Sequence, residues 1–351
     1  MSQSFDGVRV VDFTQVLSGP FASMQLAFEG ADVIKIEQRG AGDQSRQMML
    51  PEGAFAETGL SAMYISVNAG KRSLTLDLKQ AEAREVVHRL VGSADVLVEN
   101  FKSGTLERMG FGYLAMRALN RRLVYCSISG YGQGGPRAGA AAYDPAIQAA
   151  SGMMSITGYE ETGPTKAGYW VSDMATGITA AYAIASALFR RERTGEGQHI
   201  DVSMLDTAVG FIAPIVSNFL NCGVKPFLPG NGTQGGTAIS SVYPTKAGYL
   251  QVAPATQGQF EAYCRELGRP DIVTDSRFAE RKGRLANAAA LREEYVKALA
   301  SDAALSWEAR LGRAGVPAAA VQSVAEMTED PPNGRRGVLV ALPEPDGLGQ
   351  Q

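Results

Sequence analysis

The stretch VRVVDFTQVLSGPFASMQLAFEGADVIKIE, residues 8–37, decides the fold. Its β-branched beginning, residues 8–13, predicts a strand, and Ser18-Gly-Pro predicts a helix start because proline is tolerated at the first helical position. The helix runs over residues 21–29 and stops at a glycine, and residues 32–37 predict the next strand. Strand, helix and strand in this order are typical of a βαβ unit.

The same alternation continues along the chain. Residues 82–91 predict a helix, and further strands are predicted at residues 95–99, 123–129 and 199–204, the last followed by a long helix at residues 205–220. Strands that alternate with helices usually pair in parallel. The sequence therefore predicts an α/β fold with a doubly wound, Rossmann-like parallel sheet.

The length of the chain favours two domains. A chain of 351 residues exceeds the size at which one hydrophobic core keeps growing. Residues 225–236 are rich in glycine and proline and mark a boundary. We predict a large α/β domain at residues 1–224, a small α+β domain at residues 225–325, and a shortened return of residues 326–351 to the large domain. In the small domain we expect strands at residues 241–244 and 249–253 and helices at residues 259–267, 289–300 and 305–314.

The overall charge argues against several classes of partner. A formal net charge of −3 offers no general attraction to nucleic acid or to anionic lipid.

Two apolar stretches, residues 175–189 and 207–224, are too short or too interrupted to span a bilayer comfortably, and we interpret both as buried core helices. Cys126, Cys222 and Cys264 are few and widely spaced, which indicates a reducing, cytoplasmic setting without disulfides or a cysteine metal site.

Histidine and dinucleotide chemistry have little support. His88 and His199 are the two histidines of the sequence, and each lies in a periodic apolar pattern that is typical of packed or surface residues. Serine and cysteine hydrolases need a histidine base, and zinc sites usually need histidine or cysteine clusters. Residues 130–135 match GxGxxG, but Pro136 begins a segment that does not resemble the required helix, so we interpret the match as a loop that approaches a ligand.

Carboxylates remain as reactive groups, and Asp173 is the most conspicuous of them. It lies in AGYWVSDMATG, residues 167–177, where a loop meets a long apolar helix. A simple helix cap, formed by Ser172 or Asp173, is the more economical interpretation of the residues alone. The helix dipole would also favour an ionised carboxylate there by about 0.3–1 kcal/mol, which leaves any reactivity to positioning against a bound acyl group.

Several motifs in a fixed order carry a family resemblance. They are Val10-Val-Asp-Phe-Thr with Ser18-Gly-Pro, Gly30-Ala-Asp-Val-Ile-Lys-Ile-Glu, Gly42-Asp with Arg46, Lys71-Arg-Ser-Leu-Thr-Leu-Asp-Leu-Lys, Val98-Glu-Asn-Phe before Arg108-Met-Gly, Gly130-Tyr-Gly with Gly135-Pro, Tyr143-Asp, the Asp173 segment, and Gly195-Glu-Gly-Gln-His-Ile-Asp-Val-Ser. Through them the chain resembles the class III CoA-transferases, the CaiB-BaiF group that includes formyl-CoA transferase and has α-methylacyl-CoA racemases as relatives.

The resemblance implies that the chain moves coenzyme A from an acyl-CoA to a carboxylic acid, with Asp173 as covalent nucleophile and without a metal. It implies an interlocked homodimer and a glycine-rich loop over the site, in which Gly235 and Gly236 stand. Lys71 and Arg72 are candidates to assist at the CoA phosphates. The residues that the resemblance implies for CoA binding are Val16, Leu17, Ser18, Gln38, Leu76, Lys79, Asn100, Phe101, Lys102, Arg108, Ala142, Tyr143 and Asp144.

Departures from the family pattern keep more than one function open. Leu17, Gln38 and Ala141 stand where formyl-CoA transferases have glutamine, arginine and lysine, so the recognised acid is expected to differ. Racemases have a His-Asp pair where this chain has Tyr143-Asp, and a tyrosine with its ordinary pKa of about 10 is a poor proton carrier near neutral pH. Besides a racemase, a CoA-binding protein without turnover and a nicotinamide-dependent enzyme are compatible with the sequence.

Overall fold

A computed structural model describes residues 2–49, 61–235, 238–329, 337 and 339. The chain forms two compact units. The first contains residues 1–157 and 164–225, and the second contains residues 158–163 and 226–351. The chain passes between them after residues 157, 163 and 225, and the predicted glycine- and proline-rich segment begins at the last of these positions.

The first unit is built on a six-stranded sheet whose strands all run parallel. The predicted doubly wound α/β fold is therefore confirmed. Strand β3 was not expected, because its sequence RSLTL is half polar and mostly exposed at the sheet edge. The spatial order is β3-β2-β1-β4-β5-β8. The strands are β1 (Arg9–Asp12), β2 (Asp32–Gln38), β3 (Arg72–Leu76), β4 (Val96–Glu99), β5 (Val124–Ser129) and β8 (His199–Ser203). Two further short strands, β6 (Gly158–Tyr159) and β7 (Gly163–Pro164), follow β5 along the chain and pair with each other in a separate sheet.

Helices cover both faces of this sheet. Val10 and its neighbours on one face pack against α1 and α7, whereas Val11 and its neighbours on the other face pack against α3 and α5. This alternation follows from the period of two in a strand that is buried on both sides. The helices of the first unit are α1 (Ser18–Phe28), α2 (Ala62–Asn68), α3 (Ala81–Gly92), α4 (Thr105–Arg108), α5 (Tyr113–Leu119), α6 (Asp144–Ala150), α7 (Val171–Thr194), α8 (Met204–Phe211) and α9 (Ala213–Cys222).

The predicted long core helix at residues 205–220 is wrong. The chain breaks at Ile212, one residue before Ala213 and Pro214 begin α9, and the two helices differ in direction by 71°. Proline removes a helical hydrogen bond and favours a first-turn position, which explains the break. No residue of α9 is buried within this chain. Within the described residues no single helix is long and apolar enough to cross a membrane, although α8 and α9 together meet that length and composition.

The second unit has its own antiparallel sheet and helical layer. Its core contains Trp307, Tyr243, Tyr263 and Tyr295, all nearly or fully buried. The sheet order is β11-β10-β9, with β9 (Ser241–Pro244), β10 (Tyr249–Val252) and β11 (Ala318–Ala320). The helices are α10 (Gln257–Glu266), α11 (Asp271–Thr274), α12 (Arg281–Ala286), α13 (Ala288–Leu299), α14 (Ala304–Arg313) and α15 (Val324–Glu329).

The prediction that residues 326–351 return to the large domain concerns mostly residues after α15. Helix α15 belongs to the second unit. Almost all residues after 329 lie outside the described part of the chain. For them the return remains a prediction.

Candidate active site

A cavity of about 750 Å³ opens at the carboxyl ends of the parallel strands in the first unit. Its walls are formed by the segments that follow β1, β2, β4 and β5. Strand order reverses between β1 and β4, and open α/β sheets bind ligands at that position. Fold geometry therefore marks this cavity as the candidate site.

Asp173 lies in the first turn of α7, lines the cavity and is 9% exposed. The backbone N–H groups of Ser172 and Asp173 donate to Oδ2 of Asp144, at 2.7 and 3.2 Å. The cap of α7 is therefore the buried carboxylate of Asp144, and Ser172 and Asp173 lie inside the helix. The interpretation of these two residues as simple caps is wrong, and the side chain of Asp173 is left to face the cavity.

The pKa of the Asp173 carboxyl is raised to about 7. Burial is the largest cause, the negative charge of Asp144 adds to it, and hydrogen bonding from Ser18 opposes both. The expectation that the helix dipole keeps this carboxylate ionised is therefore incomplete, because desolvation outweighs an effect of about 0.3–1 kcal/mol. Near neutral pH the group exchanges between the acid and the carboxylate.

Close packing of α1 against α7 brings Ser18 to Asp173. Gly177 permits the approach, since a Cβ atom there would lie 2.8 Å from the carbonyl oxygen of Ser18 and 2.9 Å from the ring of Phe21. A separation below about 3 Å is not tolerated between a Cβ and backbone. The glycine of the Asp173 segment is thus a requirement of this packing.

Most residues that the family resemblance implies for the site meet in this cavity. Asn100 lines it, but its side-chain amide is also engaged with both the N–H and the carbonyl of Gln15, at 2.8 Å each. The predicted residues that line the cavity are Val16, Leu17, Ser18, Gln38, Asn100, Phe101, Lys102, Ala142, Tyr143 and Asp173.

Four of the predicted CoA-binding residues do not line the cavity. Leu76 packs in the core on the side of α3, and Asp144 is the buried cap of α7. Lys79 and Arg108 are exposed, and Arg108 donates to the Thr105 hydroxyl. The assignment of Asp144 to CoA is corrected to a structural one, because its carboxylate is enclosed. Contact of Lys79 and Arg108 with the CoA phosphates remains a prediction.

The predicted phosphate-binding role of Lys71 is contradicted. Its ammonium is buried and donates to Asp12 Oδ2 at 3.1 Å and to two further oxygens, those of Pro20 and Asn68, at 2.8 Å. Arg72 instead forms an exposed ion pair with Asp32. Neither cation lines the cavity.

The histidines and the GxGxxG match behave as the sequence indicates. His88 meets the ring of Phe111 and His199 stacks on Tyr113, and neither histidine lines the described cavity. After Gly130, no helix begins until Asp144. The glycine segment contributes Gly130 and Gly132 to the cavity wall, so it approaches the ligand site as a loop.

Sequence reasoning missed a set of lining residues on neighbouring segments. They share one signal: each lies at, or in the segment after, the carboxyl end of β1, β2, β5 or β8, where a doubly wound sheet collects its ligand contacts. Those with side chains suited to polar or apolar contact are Gln15, Gln44, Gln47, Ile128, Tyr131 and Met204.

The predicted glycine loop belongs to the second unit. The carbonyl oxygen of Gly235 accepts a hydrogen bond from Arg281 Nη2 at 3.1 Å, and Gly236 lies outside the described residues. The role of this loop as a cover over the substrate remains a prediction. Among the described residues no group of three or more His, Cys, Asp or Glu side chains is placed to hold a metal ion.

Comparison with known proteins assigns the chain to a family. The family described as CoA-transferase family III matches residues 5–351. The chain belongs to CoA-transferase family III. The predicted family and the enzyme class, a CoA-transferase, are therefore confirmed.

Named relatives and a solved structure support the same assignment. The transferase is 41% identical over 348 residues to the succinate–glutarate CoA-transferase of Agrobacterium fabrum, covering 97% of this chain and 86% of that protein. It is 39% identical over 338 residues to the acetyl-CoA:oxalate CoA-transferase of Acetobacter aceti, covering 96% and 85%. A CAIB/BAIF family protein from Brucella suis matches the fold with a TM-score of 0.87 at 36% identity, covering 97% of this chain and 90% of that one.

Proposed function

We propose that the transferase moves CoA from an acyl-CoA to a carboxylic acid through a covalent aspartyl-CoA intermediate on Asp173. The supporting observation is the position of this carboxylate in the cavity wall, with its backbone amide held by Asp144 and its pKa raised to about 7. Such a group is ionised in a large fraction of molecules at neutral pH, yet poorly solvated. Poor solvation favours attack on a bound thioester.

The proposed reaction balances without an external base. The Asp173 carboxylate attacks the thioester carbon, the C–S bond breaks, and a mixed anhydride and a CoA thiolate form. The thiolate attacks the aspartyl carbonyl carbon and releases the donor acid as its carboxylate. The acceptor carboxylate then attacks the aspartyl thioester, which releases the CoA thiolate and forms a second mixed anhydride. The thiolate attacks the acceptor carbonyl carbon of this anhydride, and Asp173 leaves as its carboxylate. Each intermediate keeps the acyl group activated.

We propose dicarboxylic acids as the substrate class. The relatives named above are described by succinate, glutarate and oxalate. In this chain the cavity wall carries the amide side chains of Gln15, Gln38, Gln44 and Gln47, which can donate hydrogen bonds to a carboxylate, and the cation of Lys102. These groups support recognition of a second carboxylate at a distance from the thioester.

The test is transfer of CoA to isotopically labelled acids. Purified protein is mixed with succinyl-CoA or acetyl-CoA and a panel of mono- and dicarboxylic acids, and labelled acyl-CoA is followed by mass spectrometry. We expect label in the CoA ester of at least one dicarboxylic acid. Incorporation of solvent deuterium at the α-carbon without an acceptor acid would indicate a racemase, a change in nicotinamide absorbance would indicate a dehydrogenase, and CoA binding without transfer would indicate a binding protein.

The rate should depend on pH through Asp173. Because the ionised form attacks and its pKa is about 7, kcat/KM for the acyl-CoA is expected to rise with pH up to about 7 and then level off. An ordinary aspartate would level off near pH 4. Initial rates between pH 5 and 9 at fixed ionic strength measure the midpoint, and a flat profile across this range would contradict the assignment.

We also propose a homodimer and a cytoplasmic location. Large apolar side chains are exposed on the outer surfaces of α7 and α9, including Tyr182, Phe189 and Leu220. Extended apolar surface of this kind is typical of association. The three thiols are free, with Cys222 exposed, and this suits a reducing compartment.

A further inference from the structure

The segment between β1 and α1 contains an unusual backbone conformation at the cavity wall. Val16 has a φ of +68°, in the left-handed region that β-branched residues rarely occupy. It is followed by Leu17 and by Ser18, the first residue of α1. Strained residues persist where surrounding contacts hold them, and they cluster at functional sites.

A buried ion pair holds the backbone of this segment on both sides of Gln15. Oδ1 of Asp43 accepts a hydrogen bond from the N–H of Val16 at 3.1 Å, and Oδ2 of Asp43 lies 2.8 Å from Nζ of Lys35. The same Nζ donates to the carbonyl oxygen of Thr14 at 2.6 Å. The side chains of Lys35 and Asp43 are 1% and 0% exposed.

The ion pair is itself fixed by its surroundings. Oδ1 of Asp43 also accepts hydrogen bonds from the N–H and the hydroxyl of Ser45, both at 2.8 Å, and its own N–H donates to Glu37. Lys35 lies in β2, within the sheet. The pair is therefore held in place, and its hydrogen bonds to Thr14 and Val16 fix the position of the backbone between these residues.

The position of this backbone matters because Ser18 contacts the proposed nucleophile. The hydroxyl and N–H of Ser18 are the groups that favour the ionised form of Asp173. A relaxation of Val16 to negative φ would turn the peptide units that follow it. Leu17 and Ser18 would then leave their places in the cavity wall.

We propose that the buried Lys35–Asp43 pair is a positioning device for the transfer reaction: it holds Val16 in the left-handed conformation and so keeps Ser18 against Asp173. This inference rests on the proposed function. Lys35 and Asp43 are positioning residues, since neither lines the cavity. Their action on the reaction passes through Val16 and Ser18.

The test is a coupling measurement between the ion pair and Val16. Lys35→Met with Asp43→Ala removes both charges, so no buried charge is left alone and the net charge near Asp173 is unchanged. In the natural background this double substitution is expected to lower kcat by about 10- to 100-fold, as a displacement of reacting groups does. In a V16G background, where glycine adopts positive φ freely, the same double substitution is expected to lower kcat by less than about fivefold.

Two further readouts separate positioning from a loss of stability. Loss of the Ser18 contact removes a group that lowers the pKa of Asp173, so the midpoint of kcat/KM should move to higher pH in K35M/D43A and return in the V16G background. Asp144, whose negative charge raises the pKa of Asp173, is unchanged in every variant. Arg72→Met with Asp32→Ala removes an exposed ion pair between β3 and β2, the strand that carries Lys35, and is the matched control, expected to shift neither kcat nor the midpoint.

An equal loss of kcat in both backgrounds would overturn the inference. A crystal structure of K35M/D43A gives a second answer that needs no activity: Val16 at negative φ with Ser18 displaced supports the inference, and an unchanged segment overturns it. Absence of CoA exchange in the natural protein, or its persistence in D173N, would instead reject the proposed function. The two failures are therefore distinguishable.

Discussion

Asp173→Asn is expected to lower kcat for CoA exchange by at least about a thousandfold, because the amide cannot attack a thioester or carry CoA. The substitution is nearly isosteric, and the amide oxygen can still accept hydrogen bonds from Ser18. Binding of acyl-CoA should therefore persist. Rates of labelled acid incorporation and the Kd for a non-hydrolysable acyl-CoA separate the two quantities.

The same substitution is expected to stabilise the fold above pH 7. Aspartate has a pKa near 4 in an unfolded chain and about 7 here, so the folded state holds a proton that the unfolded state has lost between these values. Stability of the natural protein therefore falls as the pH rises from about 4 to 7, and the cost of ionisation is fully present above pH 7. D173N avoids this cost, which is at most roughly 4 kcal/mol.

Urea unfolding of both proteins at pH 5 and pH 8 measures this difference. The advantage of D173N should be larger at pH 8. Asp206→Asn, in an exposed residue of α8 outside the cavity, is the control and should change neither the rate nor the pH dependence. Equal stability of D173N and the natural protein at pH 8 would show that the pKa of Asp173 is not raised by burial.

Lys71→Met is expected to destabilise the first unit by about 3–5 kcal/mol, because it leaves the fully buried Asp12 without its ion-pair partner. Burial tends to raise the pKa of Asp12, but Lys71, Lys35 and hydrogen bonds from Ser23 and Thr14 lower it to about 2. The stability that this carboxylate contributes is present above pH 4 and is lost as the pH falls toward 2. The deficit of K71M should therefore shrink below pH 4.

The adjacent residue gives a matched comparison. Arg72 and Asp32 form an ion pair whose side chains are 65% and 37% exposed. Arg72→Met should cost less than about 1 kcal/mol, because solvent screens such pairs. Similar free energies of unfolding for K71M and R72M would contradict the importance of burial.

The sheet was predictable because its strands and helices have clear local patterns. Strand β1, helix α1 and strand β2 follow from β-branched runs separated by a proline at the helix start and a glycine at its end. Strand β3 is an edge strand with polar residues, so its sequence has no clear strand pattern. Its extended conformation is stabilised by the pairing with β2. The break before α9 did have a signal, since Pro214 stands inside the apolar pattern.

The site was predictable in part. Asp173 is conspicuous, but its residues alone favour a cap, and the family resemblance suggested the nucleophile. The true cap is Asp144, whose carboxylate reaches Ser172 from 28 residues earlier in the chain. Lys71 is similarly a candidate for the CoA phosphates on sequence alone, and only the fold places it beside Asp12, 59 residues away. Contacts of this range depend on the assembled fold, and no local pattern encodes them.

Mapping the covalent adduct tests the central claim most directly. The protein is incubated with acyl-CoA, treated with hydroxylamine, digested and analysed by mass spectrometry, with D173N treated in parallel. A hydroxamate on Asp173 that depends on acyl-CoA and is absent from D173N is the predicted result. Modification of a different residue, or CoA exchange with no trapped adduct at Asp173, would contradict the account.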